Sequence, residues 1–227
     1  MTPYYEDENA TIYNADCLDV LPSIRSVDLV VTDPPYNISL KSAVKASGWG
    51  DLMNGAFFYA EVIKHIKAAT FDRQGAAWIF NSWRSFPVIA KASFEAGWNI
   101  ESLMVWDKEW IGPGGTFGLR PSHEFVTLFR HDSFKIQNRS VPDIWRSKYS
   151  GQKPNGHPSE KPQALISRII DVSGGGLVLD PFVGSGTTLA AAKELGYRSI
   201  GIEIEERWCE VAANRLSQGV LPMRKLL

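Results

Sequence analysis

Asp33 and Tyr36 enclose two prolines directly after an apolar run, in the stretch DLVVTDPPYN at positions 28–37. Because Pro34 and Pro35 restrict the backbone, the Asp33 carboxylate and a neighbouring carbonyl group are held in a fixed relation. Each can accept one hydrogen of an exocyclic amino group, which aims the nitrogen lone pair at an electrophile, and the Tyr36 ring can stack on the base. An amino group inside a duplex is not accessible in this way, so the chemistry requires a flipped-out base. The alternative is an ordinary turn that carries an acid.

A second group of residues lies in VLDPFVGSGTT, between a predicted strand and an alanine-rich helix. Gly184 and Gly186 let the backbone approach a ligand, and the helix N-terminus offers free N–H groups. No lysine follows Gly186, so this is not a Walker loop, and Leu189 stands where a dinucleotide fingerprint requires its third glycine.

Two acids define the ligand of this loop. Asp180 ends the strand before it, and Glu203 ends the next strand, 23 positions later. An acid at the second position can accept hydrogen bonds from ribose hydroxyls, and Asp180 suits a positive charge. A nucleoside with a cationic tail and no phosphate fits both, and S-adenosylmethionine has that chemistry. The alternative is that each acid is only a strand cap.

The elements that position these residues alternate along the chain. Strand patterns cover 11–16, 28–33, 75–83, 99–108, 123–131, 176–182 and 198–204, and helical patterns cover 56–69, 85–97, 161–173, the later part of 184–197, and 205–216. We expect the strands at 99–108 and 123–131 to pair, and 38–55 and most of 131–156 to be irregular. Strands separated by helices predict an α/β fold with a doubly wound, mostly parallel sheet.

Composition excludes several classes of protein. The 227 residues are 44% hydrophobic and 22% charged with a net charge of −1, which is typical of a single globular domain. No apolar run has the length of a membrane span, and the first residues do not resemble a signal peptide. Cys17 and Cys209 form no metal spacing, so we expect no metal site and a reducing cytoplasm.

Basic residues concentrate in one segment. Positions 135–153 hold five bases against one acid, Asp143. Such a segment can follow a phosphate backbone, and its alternative is a solvated loop. The bases are Lys135, Arg139, Arg146, Lys148 and Lys153.

DPPY together with FVGSG and HPSEKP (157–162) resembles the amino-methyltransferases that use S-adenosylmethionine to methylate exocyclic nitrogens of DNA bases. DPPY precedes the glycine loop by about 150 residues, and this order is similar to the circularly permuted β class. The resemblance runs from YNADCLDVLP to NRL. It implies a Rossmann-like methyltransferase fold, and a sheet whose termini lie close together tolerates such permutation.

The resemblance implies a role for each matching residue. The catalytic loop is Asp33, Pro34, Pro35 and Tyr36. The implied cofactor-binding residues are Asp16 and Cys17 at the adenine end, Lys161 near the methionine moiety, and Asp180, Phe182, Gly184, Ser185, Gly186, Thr187 and Glu203 around the glycine loop and ribose. A lone histidine such as His157 is more often structural, and the tryptophans at 78, 83, 106 and 110 are expected in the core and the cleft wall.

The chain departs from many members of this family in its short recognition region. We predict one methyltransferase domain over 1–227, with a target-recognition segment at about 131–156. Nucleic-acid contacts are expected from Lys41 and Lys45 in the 38–55 loop and from Arg139, Arg146, Lys148 and Lys153. A second subunit, as in a homodimer, could supply the rest. The expected partner is double-stranded DNA, with a short or relaxed target as in restriction–modification systems, and no membrane.

Several functions remain open at this stage. N6 methylation of adenine in DNA leads, because cytosine-N4 enzymes of the family usually carry serine where Asp33 stands. RNA is an alternative substrate, since the loop reads a base and not a sugar. A catalytically silent nucleic-acid-binding module should have lost some catalytic positions, and a small-molecule methyltransferase seldom needs DPPY.

Overall fold

A computed structural model describes residues 1–35, 49–111, 118–138, 140–149, 151, 154–157 and 159–218, with side chains in the second range from residue 57 onward.

The described strands form one mixed sheet with the order β1-β2-β9-β8-β3-β4-β6-β5-β7. Its five-strand centre from β2 to β4 is parallel, and β1 and β6 pair antiparallel with their neighbours. The strands are β1 (Tyr5–Glu6), β2 (Ala10–Asn14), β3 (Leu29–Thr32), β4 (Ala76–Asn81), β5 (Ile100–Asp107), β6 (His123–Arg130), β7 (Ile144–Arg146), β8 (Val178–Asp180) and β9 (Ser199–Glu203).

Helices cover both faces of this sheet. The first three pack on one face and the last three on the other, as their core clusters show. The helices are α1 (Cys17–Val20), α2 (Trp49–Phe71), α3 (Phe86–Glu95), α4 (Gln163–Ser173), α5 (Thr187–Glu194) and α6 (Glu206–Ser217), with a short 3₁₀ turn at Leu21–Ser23. The predicted doubly wound α/β fold is confirmed.

β3 is apolar at successive positions, without the alternation of polar and apolar residues, because both of its faces are buried. Val30 packs into the cluster beneath α2 and α3, and Leu29 and Val31 pack into the cluster beneath α4 and α5. All three side chains are fully buried. A strand buried on both faces reads as a continuous apolar run, and this is what places the acid that follows it at the sheet edge.

Three predictions of local structure have clear outcomes. β5 and β6 pair antiparallel, as expected. α2 begins at Trp49, earlier than the predicted start at 56. Gly50 and Gly55 have a low helix propensity, which is why the sequence pattern placed the start later. The segment 131–156 is less irregular than predicted, since β7 pairs in parallel with β5 and Trp145 is buried at 2% exposure.

Within the described ranges, none of the helices has the length and apolar content that a bilayer crossing needs. The same ranges hold no cluster of three or more His, Cys, Asp or Glu side chains arranged for a metal ion.

Candidate active site

The carboxyl ends of the central strands surround a cavity of about 350 Å³. Because β3, β8 and β9 run parallel, the residues that follow them meet at one edge of the sheet, where α/β proteins bind ligands. The segment before α4 closes the cavity from the side. Its wall includes ten of the predicted site residues: Asp33, Pro34, Pro35, Lys161, Asp180, Phe182, Gly184, Ser185, Thr187 and Glu203.

The glycine loop between β8 and α5 is fixed by a carboxylate. The Gly184 amide donates to Glu203 Oε2 over 2.8 Å, and the Glu205 amide donates to Glu203 Oε1 over 2.9 Å. Gly186 has a left-handed backbone (φ +79°), and a Cβ there would lie 2.9 Å from the Ala212 Cβ on α6. Each carboxylate oxygen can accept more than one hydrogen bond. Glu203 can therefore hold the loop and, at the same time, accept hydrogen bonds from hydroxyl groups in the cavity.

Asp180 is a buried carboxylate, 3% exposed, that connects two strands. Its Oδ1 accepts from the Thr32 hydroxyl at the end of β3 over 2.7 Å and from the Phe182 amide over 3.0 Å. Burial raises the pKa of Asp180 to about 6 and the Asp33 charge adds to this, while hydrogen bonds from Thr188, Thr32 and Phe182 oppose the shift. A cation in the cavity would favour the ionised form.

The Asp33 loop is anchored on both sides. Pro34 is buried and Pro35 is exposed, and the Tyr59 hydroxyl on α2 donates to the Pro35 carbonyl over 2.8 Å. The Asp33 carboxylate is 21% exposed and its Oδ2 contacts the Lys161 ammonium. Residues 33–35 are therefore held in place at the cavity wall.

A buried ion pair behind the glycine loop was missed by the sequence analysis. Arg215 on α6 pairs with Glu160 over 3.2 Å and donates to the Ser185 carbonyl (3.2 Å) and the Thr187 hydroxyl (3.1 Å). Glu160 is 8% exposed. Arg215 thus contacts two of the predicted cofactor residues directly, and no spacing pattern links it to a glutamate 55 positions away.

His157 was expected to be structural, and the structure places it on the cavity wall. Its ring lies edge-on to Trp208 with the centroids 4.5 Å apart, and its Nε2 would lie 3.1 Å from a Cβ at Gly184. Burial lowers the pKa of His157 although Glu203 and Asp33 raise it, so the imidazole is neutral at pH 7. The ring packs against the glycine loop in place of a side chain there.

Other wall residues were also missed: Thr32, Phe80, Ser159, Glu160, Ile166, Val183, Thr188, Ile204 and Glu205. Most stand next to a residue that the sequence did identify. Their proximity to strand ends and to HPSEKP is the signal that would have found them.

Some predicted residues do not line the cavity. Asp16 is exposed and caps α1 by accepting from the Leu18 amide over 2.9 Å, and the Cys17 side chain lies in the core cluster under α2. Gly186 faces α6. Arg146 and Lys148 lie exposed on and just after β7. Tyr36, Lys41, Lys45, Arg139 and Lys153 lie outside the described residues.

Comparisons with known proteins agree on one family. A family model described as DNA methylase, whose name covers N6 and N4 enzymes, matches residues 27–214. The Type II methyltransferase M2.LlaDCHI of Lactococcus lactis subsp. cremoris is 28% identical, covering 96% of this chain and 93% of its own. The DNA adenine methyltransferase YhdJ of Escherichia coli (strain K12) is 30% identical, covering 93% and 84%. The crystal structure of the M1.HpyAVI-SAM complex superposes with a TM-score of 0.70 at 26% identity, covering 92% of this chain and 99% of that one.

The bond between Thr32 and Asp180 generates a pH-dependent prediction for stability. Because the folded-state pKa of Asp180 is raised to about 6, ionisation of this buried group lowers stability as the pH rises through that value, and the Thr32 bond offsets part of the loss. Thr32→Val should therefore lower the free energy of unfolding by roughly 1.5–3 kcal/mol at pH 8 and by less, about 0.5–1.5 kcal/mol, at pH 5. Urea unfolding at the two pH values measures this.

Thr127→Val is the matched control, since Thr127 is buried on β6 and accepts a neutral hydrogen bond from Asn81 over 2.8 Å. Its cost should not depend on pH. An equal loss of unfolding free energy at pH 5 and pH 8 for Thr32→Val would show that this bond does not stabilise the ionised form of Asp180 more than the neutral form.

Proposed function

This chain belongs to the DNA methylase family, and on that premise we propose that it transfers a methyl group from S-adenosylmethionine to the N6 amino group of adenine in double-stranded DNA. The observation that carries the proposal is the meeting of Asp33, Asp180 and Glu203 around one cavity. The adenine assignment is supported by Asp33 and by the similarity to YhdJ, a DNA adenine methyltransferase.

The residues around the cavity suit S-adenosylmethionine by their chemistry. Glu203 can accept from the two ribose hydroxyls, and Asp180 can face the positive charge of the tail above pH 6. Phe182, Gly184 and Ser185 are expected to meet the rest of the molecule from the loop. When bound, S-adenosylmethionine supplies a methyl group attached to a positively charged sulfur, and the carbon of this methyl group is the electrophile.

The Asp33 loop is suited to hold the target amino group. Since Tyr59 already donates to the Pro35 carbonyl, the Pro34 carbonyl is the main-chain acceptor that we assign to one amino hydrogen, and the Asp33 carboxylate accepts the other. The nitrogen lone pair then points away from the base ring. Asp33 also stabilises the positive charge that the nitrogen gains with its methyl group, before a proton is lost.

Two groups of exposed side chains suit contact with a nucleic-acid backbone. Trp83 was expected in the core or cleft wall, yet it is 57% exposed just after β4, with the Arg84 guanidinium over its ring at 5.0 Å. β4 is the parallel neighbour of β3, so this pair and Asp33 follow the same ends of adjacent strands. Arg146 ends β7 and Lys148 follows it, and both side chains are exposed. The ion pair between Arg146 and Asp107 is long, at 3.7 Å, and exposed, so replacing it with a contact to phosphate costs little free energy.

We propose one methyltransferase domain with its target-recognition segment at about 131–156, and a homodimer that contributes to recognition. Cys17 and Cys209 are both free and buried thiols, which suits a reducing cytoplasm.

Replacing Asp33 should stop methyl transfer without loss of cofactor binding. Asp33→Asn removes the charge at constant shape, and Asp33→Ala removes the acceptor. Both should lower kcat and kcat/KM together, because the lost interaction is made in the transition state. Methyl incorporation into duplex DNA, followed by mass analysis of nucleosides, measures this, with exposed Asp132→Ala as the control.

The same assay tests the base assignment. N6-methyladenine from the wild type supports the proposal. N4-methylcytosine would overturn the base and keep the mechanism, whereas full activity in Asp33→Ala would contradict the mechanism itself.

Replacing Glu203 should weaken cofactor binding. Glu203→Ala removes an ionised acceptor and the brace of the Gly184 amide, and bonds to charged groups contribute roughly 1.5–3 kcal/mol, about 10- to 150-fold in Kd. Calorimetric titration with S-adenosylmethionine measures the loss, and the exposed neighbour Glu206→Ala is the control. Unchanged affinity would remove Glu203 from the cofactor site.

Neutralising the basic residues should flatten the salt dependence of DNA binding. Each lost phosphate contact should reduce the log–log salt slope by about 0.9, so we expect this change for Arg84→Gln and about twice it for Arg146→Gln with Lys148→Gln. Adding Arg139→Gln and Lys153→Gln should flatten it further. Fluorescence anisotropy on a DNA duplex gives the slope, with Lys64→Gln on α2 as control. An unchanged slope would make these side chains ordinary solvated cations.

A further inference from the structure

Lys161 lies within a partly buried row of alternating charges. Its side chain is 9% exposed, and its ammonium contacts Asp33 Oδ2 and lies 3.4 Å from Glu124 Oε2. Glu124, on β6, holds Lys108 at 2.5 Å through its other oxygen, and both of those side chains are 15% exposed. The resemblance implied contact of Lys161 with the methionine end of the cofactor, whereas here its charge is directed at the catalytic carboxylate.

The row is anchored at its far end by aromatic rings. The Lys108 ammonium lies 5.2 Å from the ring centroid of Trp106 and 5.7 Å from that of Tyr149. Buried charges are costly unless they are paired, and each charge in this row has an opposite neighbour. The four side chains are therefore constrained to one arrangement.

The surroundings of Asp33 make a cationic neighbour necessary. Groups that face Asp33 come from several elements: Asp180 after β8, His157 and Lys161 before α4, Tyr59 on α2, and Glu124 behind Lys161. His157 and Tyr59 are neutral at pH 7, and the Asp180 and Glu124 charges oppose ionisation of Asp33. Lys161 supplies the positive charge in this set. Burial acts against that charge, but Asp33 and Glu124 raise the pKa of Lys161 above its ordinary value.

We propose that Lys161 is a positioning residue for methyl transfer, which keeps the Asp33 carboxylate ionised and oriented towards the target amino group. Glu124 and Lys108 hold Lys161 in place. The inference rests on the proposed function and adds three residues to it. Glu124 also draws part of the ammonium charge away from Asp33, so the carboxylate remains a strong acceptor for an amino group that becomes positive.

The test compares Lys161→Met, which keeps length without charge, with Lys161→Arg, which keeps the charge. Methyl-transfer kcat is measured from pH 5.5 to 9, and S-adenosylmethionine affinity by calorimetry. For Lys161→Met we expect kcat at pH 7 to fall about 100-fold, the loss typical of a misplaced catalytic group, with cofactor affinity unchanged. The acid limb of its pH profile should move to higher pH, because Asp33 without a cation has a higher pKa.

The result for Lys161→Arg and one further variant, Glu124→Gln, sharpen the comparison. Lys161→Arg should restore most of kcat and the position of the acid limb. Glu124→Gln should move the acid limb to lower pH, opposite to Lys161→Met, because Lys161 and Lys108 then act on Asp33 without a competing carboxylate. Lys91→Met, on the exposed face of α3, is the control.

The outcomes separate this inference from the function on which it rests. A large loss of cofactor affinity in Lys161→Met with normal kcat at saturation would make Lys161 a cofactor ligand and overturn the inference. If Lys161→Met does not fold, an acid limb in Glu124→Gln that stays in place or moves upward overturns it equally. Absence of methyl transfer by the wild type would instead refute the proposed function.

Discussion

The hydrogen bond from the Thr32 hydroxyl to the Asp180 carboxylate joins the two halves of this molecule. The two residues are 148 positions apart in the chain, yet they end neighbouring parallel strands at the centre of the sheet. Because parallel neighbours end at the same edge, the loop that carries Asp33 and the loop that carries the glycines must open into one space. The site follows from this adjacency more than from any single residue.

Charge balance is the second constraint on this edge. Asp33, Asp180, Glu203 and Glu124 all lie at or near the cavity, and none of these carboxylates could be buried there without compensation. Asp180 receives a hydroxyl and an amide, Glu203 receives two amides, and Asp33 and Glu124 share Lys161. The compensation differs in kind. Burial raises the pKa of Asp180 to about 6 although neutral donors oppose the shift, whereas the Lys161 ammonium beside Asp33 favours the ionised form of that carboxylate. Two neighbouring acids thereby acquire different properties suited to different partners.

The sequence predicted which residues meet at this cavity where the pattern that identifies them is local. The acid and prolines after β3, and the glycines between Asp180 and Glu203, are contiguous patterns whose geometry follows from backbone restriction and strand alternation, and they were identified together with the fold. The sequence did not predict the pairs made across the fold. Lys161 with Glu124, and Arg215 with Glu160, join residues on different elements, and nothing in the spacing of one chain records which long side chains meet. The burial of Trp145 in the 131–156 segment was missed for the same reason, since β7 exists only because β5 offers it an edge.

The most direct measurement is a crystal structure of this protein with S-adenosylhomocysteine, the product left after transfer of the methyl group. The account predicts that the ribose hydroxyls contact Glu203 and that the sulfur lies in the same cavity, facing the Asp33 carboxylate and the Pro34 carbonyl. A ligand bound elsewhere, or bound with its sulfur turned away from Asp33 and shielded from the loop after β3, would contradict the claim that this sheet edge unites cofactor and target.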